Sequence, residues 1–146
     1  MTPVRILLVD DFCAWRRCVS TILQTNWECE IVGEASDGVE AVQKCAELRP
    51  DLILLDIDLP RLNGIEAARR ICAIVPDSAI LFISGNQCPT VVREALGTSG
   101  SARGYVVKCD AASDLLPALE AVMKNQLFVS STIARSCYRP QQPPLT

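Results

Sequence analysis

Five polar side chains stand where apolar runs stop. Asp10 and Asp11 follow Val4–Val9 (VRILLV), Asp56 follows Asp51–Leu55 (DLILL), Ser84 follows Ala79–Ile83 (AILFI) and Lys108 follows Tyr105–Val107. Three carboxylates brought together repel, and each has its pKa raised unless a cation shares the site. A hard divalent ion such as Mg²⁺ meets that need, because it takes oxygen ligands and keeps several waters. A carboxylate beside such an ion is a competent nucleophile toward phosphorus and can form an aspartyl phosphate. A lysine and a hydroxyl would then neutralise and hydrogen-bond the phosphoryl oxygens. Taken singly, the residues read otherwise. Asp-Asp after a strand also serves as a helix N-cap, with Asp11 accepting from the first free N–H groups. Lys108 alone reads as a solvated charge, and Ser84 alone as a turn residue. The set at four strand ends is what points to phosphoryl chemistry.

Composition narrows the chemistry further. The 146 residues suffice for one domain with a genuine core, and 49% apolar with 21% charged is a globular balance. There is no histidine, so imidazole is removed as general base, metal ligand and pH switch. The net charge of −3 argues against a basic nucleic-acid face. Eight cysteines, at 13, 18, 29, 45, 72, 88, 109 and 137, include no C-x-x-C pair. They are expected to be small buried or half-buried hydrophobes in a reducing cytoplasm, as Cys18, Cys45 and Cys72 would be on helices. No apolar run approaches the roughly 20 residues of a membrane span, so a soluble cytoplasmic protein without membrane contact is expected.

The elements alternate. After the first strand, Phe12, Trp15, Val19, Ile22 and Leu23 recur at helical spacing. Glu30–Ala35 is a second, weaker strand, closed by turn chemistry at Ser36-Asp37-Gly38. Val39, Val42 and Ala46 mark a second helix that stops before Pro50. DLILL is the third strand, Leu59-Pro60 and Asn63-Gly64 break the chain, and Ile65, Ala68, Cys72 and Val75 mark a third helix. AILFI is the fourth strand, Thr90–Leu96 a short helix and Gly97–Arg103 a Gly/Ser-rich loop. Tyr105–Val107 is the fifth strand, and Leu115, Leu116, Leu119, Val122 and Met123 form a last helical stripe, with Pro117 near its first turn. Near-continuous apolar strands between amphipathic helices predict an α/β fold, a parallel sheet with helices on both faces. Right-handed crossovers bring every strand's carboxyl end to one edge, where open α/β sheets bind ligands.

The segments LLVDDF (7–12), LILLDIDLP (52–60) with Asn63-Gly64, FISG (82–85) and GYVVK (104–108) resemble the receiver domain of bacterial response regulators, CheY-like, in family order. The resemblance covers residues 4 to about 125. It implies a five-stranded flavodoxin-like sheet of order 2-1-3-4-5 and a two-component signalling role rather than an enzyme acting on other substrates. By resemblance, Asp56 is the phosphoacceptor, and Asp10 and Asp11 are the acidic pair that holds Mg²⁺ or Mn²⁺ together with Asp56 and the backbone carbonyl of Asp58. Ser84 is the switch hydroxyl, Lys108 the phosphate-pairing lysine, and Tyr105 the aromatic whose rotamer follows activation. Gly85 leaves the phosphoryl group access. A histidine kinase or phosphotransfer protein is the implied donor. Phosphorylation would draw the fourth-strand loop inward, let Tyr105 turn into the space vacated, and change the face of the fourth helix, fifth strand and fifth helix that a partner or second copy reads.

Residues 104–134 resemble receivers that precede a LuxR-type helix-turn-helix output domain. The expected division is a receiver over 1–126 and a linker or tail over 127–146, ending RPQQPPLT, with no output domain present and DNA reached only indirectly through one. Three departures stand out. Asp58 adds a carboxylate that could tighten metal binding, slow the donor's approach or alter phosphoryl lifetime. Cys109 stands where proline is frequent, and the loop Gly97–Arg103 is about two residues long for the family. Two rival readings remain. A pseudo-receiver would keep the fold as a phosphorylation-independent interaction module. A phosphatase resembling the haloacid dehalogenases would use Asp56-Ile57-Asp58, Ser84 and Lys108, although there the nucleophile follows the first strand.

Overall fold

The computed structural model describes residues 2–26, 28–97 and 102–136. Strands β1 (Val4–Val9), β2 (Cys29–Ala35), β3 (Leu52–Leu55), β4 (Ala79–Ser84) and β5 (Ala102–Val107) alternate with helices α1 (Cys13–Gln24), α2 (Gly38–Leu48), α3 (Gly64–Ile74), α4 (Pro89–Gly97) and α5 (Ala111–Met123). A short β6 (Phe128–Val129) and α6 (Ser131–Ser136) follow. The sheet runs β2-β1-β3-β4-β5-β6, and every neighbouring pair is parallel. The flavodoxin-like order 2-1-3-4-5 is therefore as expected, with one further strand on its far edge.

The period of two along each strand divides the core. Leu7, Val9, Ile53, Leu55, Ile80, Phe82, Tyr105 and Val107 point to the face covered by α2, α3 and α4. Ile6, Leu8, Leu52, Leu54, Leu81, Ile83 and Val106 point to the face covered by α1 and α5. A strand buried on both sides has no polar face, which is why β3 and β4 read as unbroken apolar runs.

The turn signals in the sequence act as helix caps. Asp37 Oδ1 accepts from the N–H of Glu40 at 2.7 Å, and Glu40 Oε1 reaches back to the N–H of Ser36 at 2.7 Å. Asn63 Oδ1 accepts from the N–H of Glu66 at 2.9 Å and starts α3. Each cap satisfies an N–H that the helix leaves unpaired and puts an acidic residue in the first turn, where the helix dipole favours it.

Several expectations need correction. In α2 the buried row is Gly38, Ala41 and Cys45, while Ala46 is exposed, so the apolar stripe lies about one residue earlier than Val39, Val42 and Ala46 imply. Phe12 precedes α1 and is 64% exposed, outside the helix's buried row. Pro117 is the seventh residue of α5, past its first turn, because the helix begins at Ala111, directly after a 3-10 turn over Lys108–Asp110. Cysteines 13, 18, 88 and 109 are exposed, 29 and 72 half-buried, and only Cys45 is buried among those described. Small side chains tolerate either environment, so residue type alone could not place them. Within the segment after residue 126, Phe128–Val129 add a strand to the sheet and Ser131–Ser136 form a further helix. Most of the Gly97–Arg103 loop, residues 98–101, lies outside the described residues, as does Cys137.

Candidate functional site

The carboxyl ends of β1 and β3 bring Asp10, Asp11 and Asp56 together, with one carboxylate oxygen from each lying within 4.8 Å of the others. Asp10 and Asp56 are buried and Asp11 is exposed, so the cluster opens to solvent on one side. Backbone groups hold the two buried carboxylates. Asp10 Oδ1 accepts from the N–H of Phe12 at 2.9 Å, and Asp56 Oδ1 from the N–H of Ile57 at 2.7 Å. The Asp56 backbone N–H donates to the Val9 carbonyl at 3.1 Å, which fixes the ends of β1 and β3 against each other.

Lys108 reaches into the cluster from β5. Its Nζ lies 2.7 Å from Asp10 Oδ2 and 3.2 Å from Asp56 Oδ2. The contact with Asp10 is the shorter, yet among the described residues the buried Asp10 Oδ2 has no hydrogen-bond partner. Nζ also lies 5.2 Å from the centroid of the Trp15 ring, within cation–π range. Burial disfavours the lysine's charge, but the close contact and charge of Asp10 and the charge of Asp56 outweigh it, so its pKa stands above the ordinary value. At Asp56 burial and then the Asp10 charge raise the pKa, and Lys108 offsets only part of this. Two buried carboxylates served by one ammonium remain short of positive charge. The all-oxygen donor set and the poorly satisfied Asp10 Oδ2 fit a hard divalent cation.

Ser84 ends β4 fully buried, and its Oγ accepts from the N–H of Asn86 at 3.1 Å. Beside it, the space around Gly85 is open, and a Cβ there would meet nothing within 4 Å. Tyr105 is 0% exposed, and its phenol donates to the Asn86 carbonyl at 2.6 Å. Burial pushes the phenol's pKa up to about 12, and the Ser84 hydroxyl offsets little of this. Tyr105 thus already occupies the inward position that the sequence reading reserves for the switched state. Asp58 is exposed, and its side chain lies outside the three-carboxylate cluster. Together with Asp11, Asn86 and the α3–α4 residues Glu66, Arg69 and Glu94 it lines a cleft of about 610 Å³ that adjoins the cluster.

Sequence reasoning missed Asn86, Trp15 and Gly64. Asn86 joins Ser84 to Tyr105, and an Asn two residues after a strand-ending Ser is a turn signal that could have flagged it. Trp15 read only as part of a helical stripe. At Gly64 an added Cβ would lie 1.9 Å from the Asp56 carbonyl oxygen and 2.7 Å from the Ile57 Cα. The first turn of α3 therefore packs on the backbone of the acidic residue itself, which only glycine permits.

Residues 6–120 match the response regulator receiver domain family, and the chain belongs to it. The parallel sheet with its acidic rim is the receiver of a two-component system. The chain is 37% identical over 120 residues to the chemotaxis protein CheY of Thermotoga maritima, covering 82% of this chain and 98% of that protein. It is 32% identical over 135 residues to the transcriptional regulatory protein LiaR of Bacillus subtilis, covering 90% of this chain and 61% of that protein. A solved LuxR-family response regulator from Aurantimonas sp. SI85-9A1 superposes with a TM-score of 0.86 at 30% identity, covering 92% of this chain and 94% of that one. The chain spans only 24% to 61% of the length of several curated relatives, among them a protein-glutamate methylesterase that carries further regions. Among the described residues no helix is long and apolar enough to cross a membrane.

Proposed function

We propose that this receiver accepts a phosphoryl group on Asp56 from a histidine kinase or phosphotransfer protein, in a Mg²⁺-dependent reaction in the cytoplasm. The observation that carries the reading is the shared ammonium of Lys108 between the buried carboxylates of Asp10 and Asp56, at the ends of three different strands. A carboxylate oxygen of Asp56 attacks phosphorus, the bond from phosphorus to the donor's imidazole nitrogen breaks, and that nitrogen keeps the bonding pair. Asp10, Asp11, Asp56 and the backbone carbonyl of Asp58 would hold the divalent ion, which when bound supplies positive charge to the carboxylates and the phosphoryl oxygens.

Lys108 would follow a phosphoryl oxygen as the charge on Asp56 passes to the phosphate, and it keeps Asp10 as its second anchor. Ser84 Oγ accepts from Asn86 and carries a hydroxyl hydrogen that would turn to donate to the incoming group. Gly85 leaves the approach open. A change at Ser84 passes to Asn86 and so to the Tyr105 phenol and the start of α4. A partner or a second copy then reads the altered surface of α4, α5 and the sheet edge, biasing an equilibrium between two conformations.

Intact mass after incubation with a small acyl-phosphate donor tests this, with and without Mg²⁺, on wild type and Asp56→Asn. One phosphoryl adduct that requires Mg²⁺ and is absent from the variant is expected. An unmodified wild-type chain with Mg²⁺ present would overturn the reading.

A further inference from the structure

Lys108 is the residue on which the site converges, and the chain on both sides of it is tied to the segment after α5, through the Val107 backbone and the Asp110 side chain. β6 is only two residues long and pairs Phe128 with Gly104 and Val129 with Tyr105, so sheet pairing stops before Val107. Val107 is 1% exposed, and its N–H would be a buried donor without a strand partner. The wholly buried Ser130 supplies the acceptor: its Oγ takes the Val107 N–H at 3.0 Å, and its own N–H donates to the Tyr105 carbonyl at 3.0 Å. Beyond Lys108, Thr132 Oγ1 donates to Asp110 Oδ2 at 2.7 Å, at the end of the 3-10 turn that carries the lysine. Ile133, 0% exposed, anchors α6 in the same core cluster as Tyr105 and Val107.

We infer that Ser130 and Thr132 are positioning residues for Lys108, and that the β6–α6 segment is mechanically coupled to the phosphoacceptor pocket. Ser130 fixes the backbone one residue before the lysine, and Thr132 holds the Asp110 side chain two residues after it. Val107 pairs with Ser84 of β4 on its other side, and the 3-10 turn beyond it is short, so these two ties complete the hold on the segment from which the lysine stem starts. Its reach then determines whether Nζ meets Asp10 and Asp56 together. Because coupling is reciprocal, a load applied to α6 is felt at Lys108, and a change at Lys108 is felt at α6. β6 covers β5 at Gly104 and Tyr105 and forms the outer rim of the sheet there.

The functional half of this inference rests on the phosphoacceptor reading; the structural half does not. Amide hydrogen exchange and phosphoryl lifetime are measured on full-length wild type, Ser130→Ala, Thr132→Val and Thr132→Ser. Thr132→Val keeps shape and removes the donor, whereas Thr132→Ser keeps the hydroxyl. Exchange at Val107 through Asp110 is expected to rise about tenfold in Ser130→Ala and Thr132→Val, that of β1 and β3 to stay unchanged, and Thr132→Ser to restore the wild-type rate, since a lost hydrogen bond is worth about that factor. The Asp56 adduct should change its lifetime by about three- to tenfold in the same two variants and recover in Thr132→Ser. Wild-type exchange at 107–110 in Thr132→Val, or altered exchange with an unchanged lifetime, overturns the inference. Altered exchange in a protein whose wild type forms no adduct would instead locate the failure in the phosphoacceptor reading and leave the positioning role standing.

Discussion

Asp56 sits under opposing influences. Burial and then the Asp10 charge push its pKa above the ordinary 3.8, and the Lys108 charge and hydrogen bond pull it back only in part. An acid whose folded pKa exceeds its unfolded one contributes most stability below the unfolded pKa, and that contribution is lost as pH rises through the folded value. Metal-free Asp56→Asn should therefore melt higher than wild type at neutral pH, with the gap closing as pH falls toward 3.8, where the wild-type carboxyl is itself protonated; thermal denaturation across that range checks it. Lys108 has the other sign. Its raised pKa gives stability that is fully present below 10.5 and lost above the folded value. The cysteines offer a separate test. Cys88 is exposed, and the N–H groups of Val91 and Thr90 favour its thiolate, whereas burial pushes Cys45 up to about 12. Alkylation followed by peptide mapping should label Cys88 ahead of Cys13, Cys18 and Cys109, and Cys45 only on unfolding.

Elements meet the site through their ends. α2 and α3 start at Asp37 and Asn63, and the loop after β3 is held between those starts. Gly38 faces the Leu62 carbonyl, and Gly64 faces that of Asp56, each with room for no Cβ, since either would approach to 1.9 Å. Gly64→Ala must displace backbone rather than a flexible side chain. It should destabilise by about 1–3 kcal/mol or more in urea unfolding and slow adduct formation on Asp56 as well. Asp37→Ala removes only a cap and should cost about 0.5–2 kcal/mol with little effect on the adduct. Equal effects of both variants on phosphorylation would show that proximity of Gly64 to Asp56 is irrelevant to the chemistry. The Asn63-Gly64 and Asp37-Gly38 pairs were legible in the sequence as breaks. That Gly64 abuts the backbone of the acidic residue was not, because a turn signal marks where the chain reverses and not what it packs against.

At the scale of the molecule, the sheet separates two apolar layers and leaves one rim charged. Leu54, 1% exposed between α1 and α5, should cost about 2–5 kcal/mol on truncation to Ala. The rim is where the fold gives up stability for function, since it gathers three carboxylates, two of them buried, with one ammonium. A divalent ion that binds only the folded chain should restore part of that, by about 2.7 kcal/mol at a hundredfold excess over its Kd. Melting curves with added Mg²⁺ should show this in wild type and lose most of it in Asp11→Asn. A shift of the same size in that variant would place the ion elsewhere.

The sequence by itself determined the alternation of strands and helices, the parallel sheet and the identity of the rim residues. Those follow from period-two and helical patterning and from the rule that parallel strands end on one edge. Which side of α2 is buried, whether Cys18 or Cys45 meets solvent, and where α5 begins relative to Pro117 were decided by tertiary packing, since neighbouring positions of similar polarity compete and only contacts choose between them. The sixth strand was the largest surprise. Phe128-Val129 is too short to show a strand period, and its pairing comes from the open edge of β5 and from the buried Val107 N–H that Ser130 satisfies. Distances between side chains on separate strands, which make Lys108 a partner of Asp10 as well as Asp56, exist only once the chain has closed on itself.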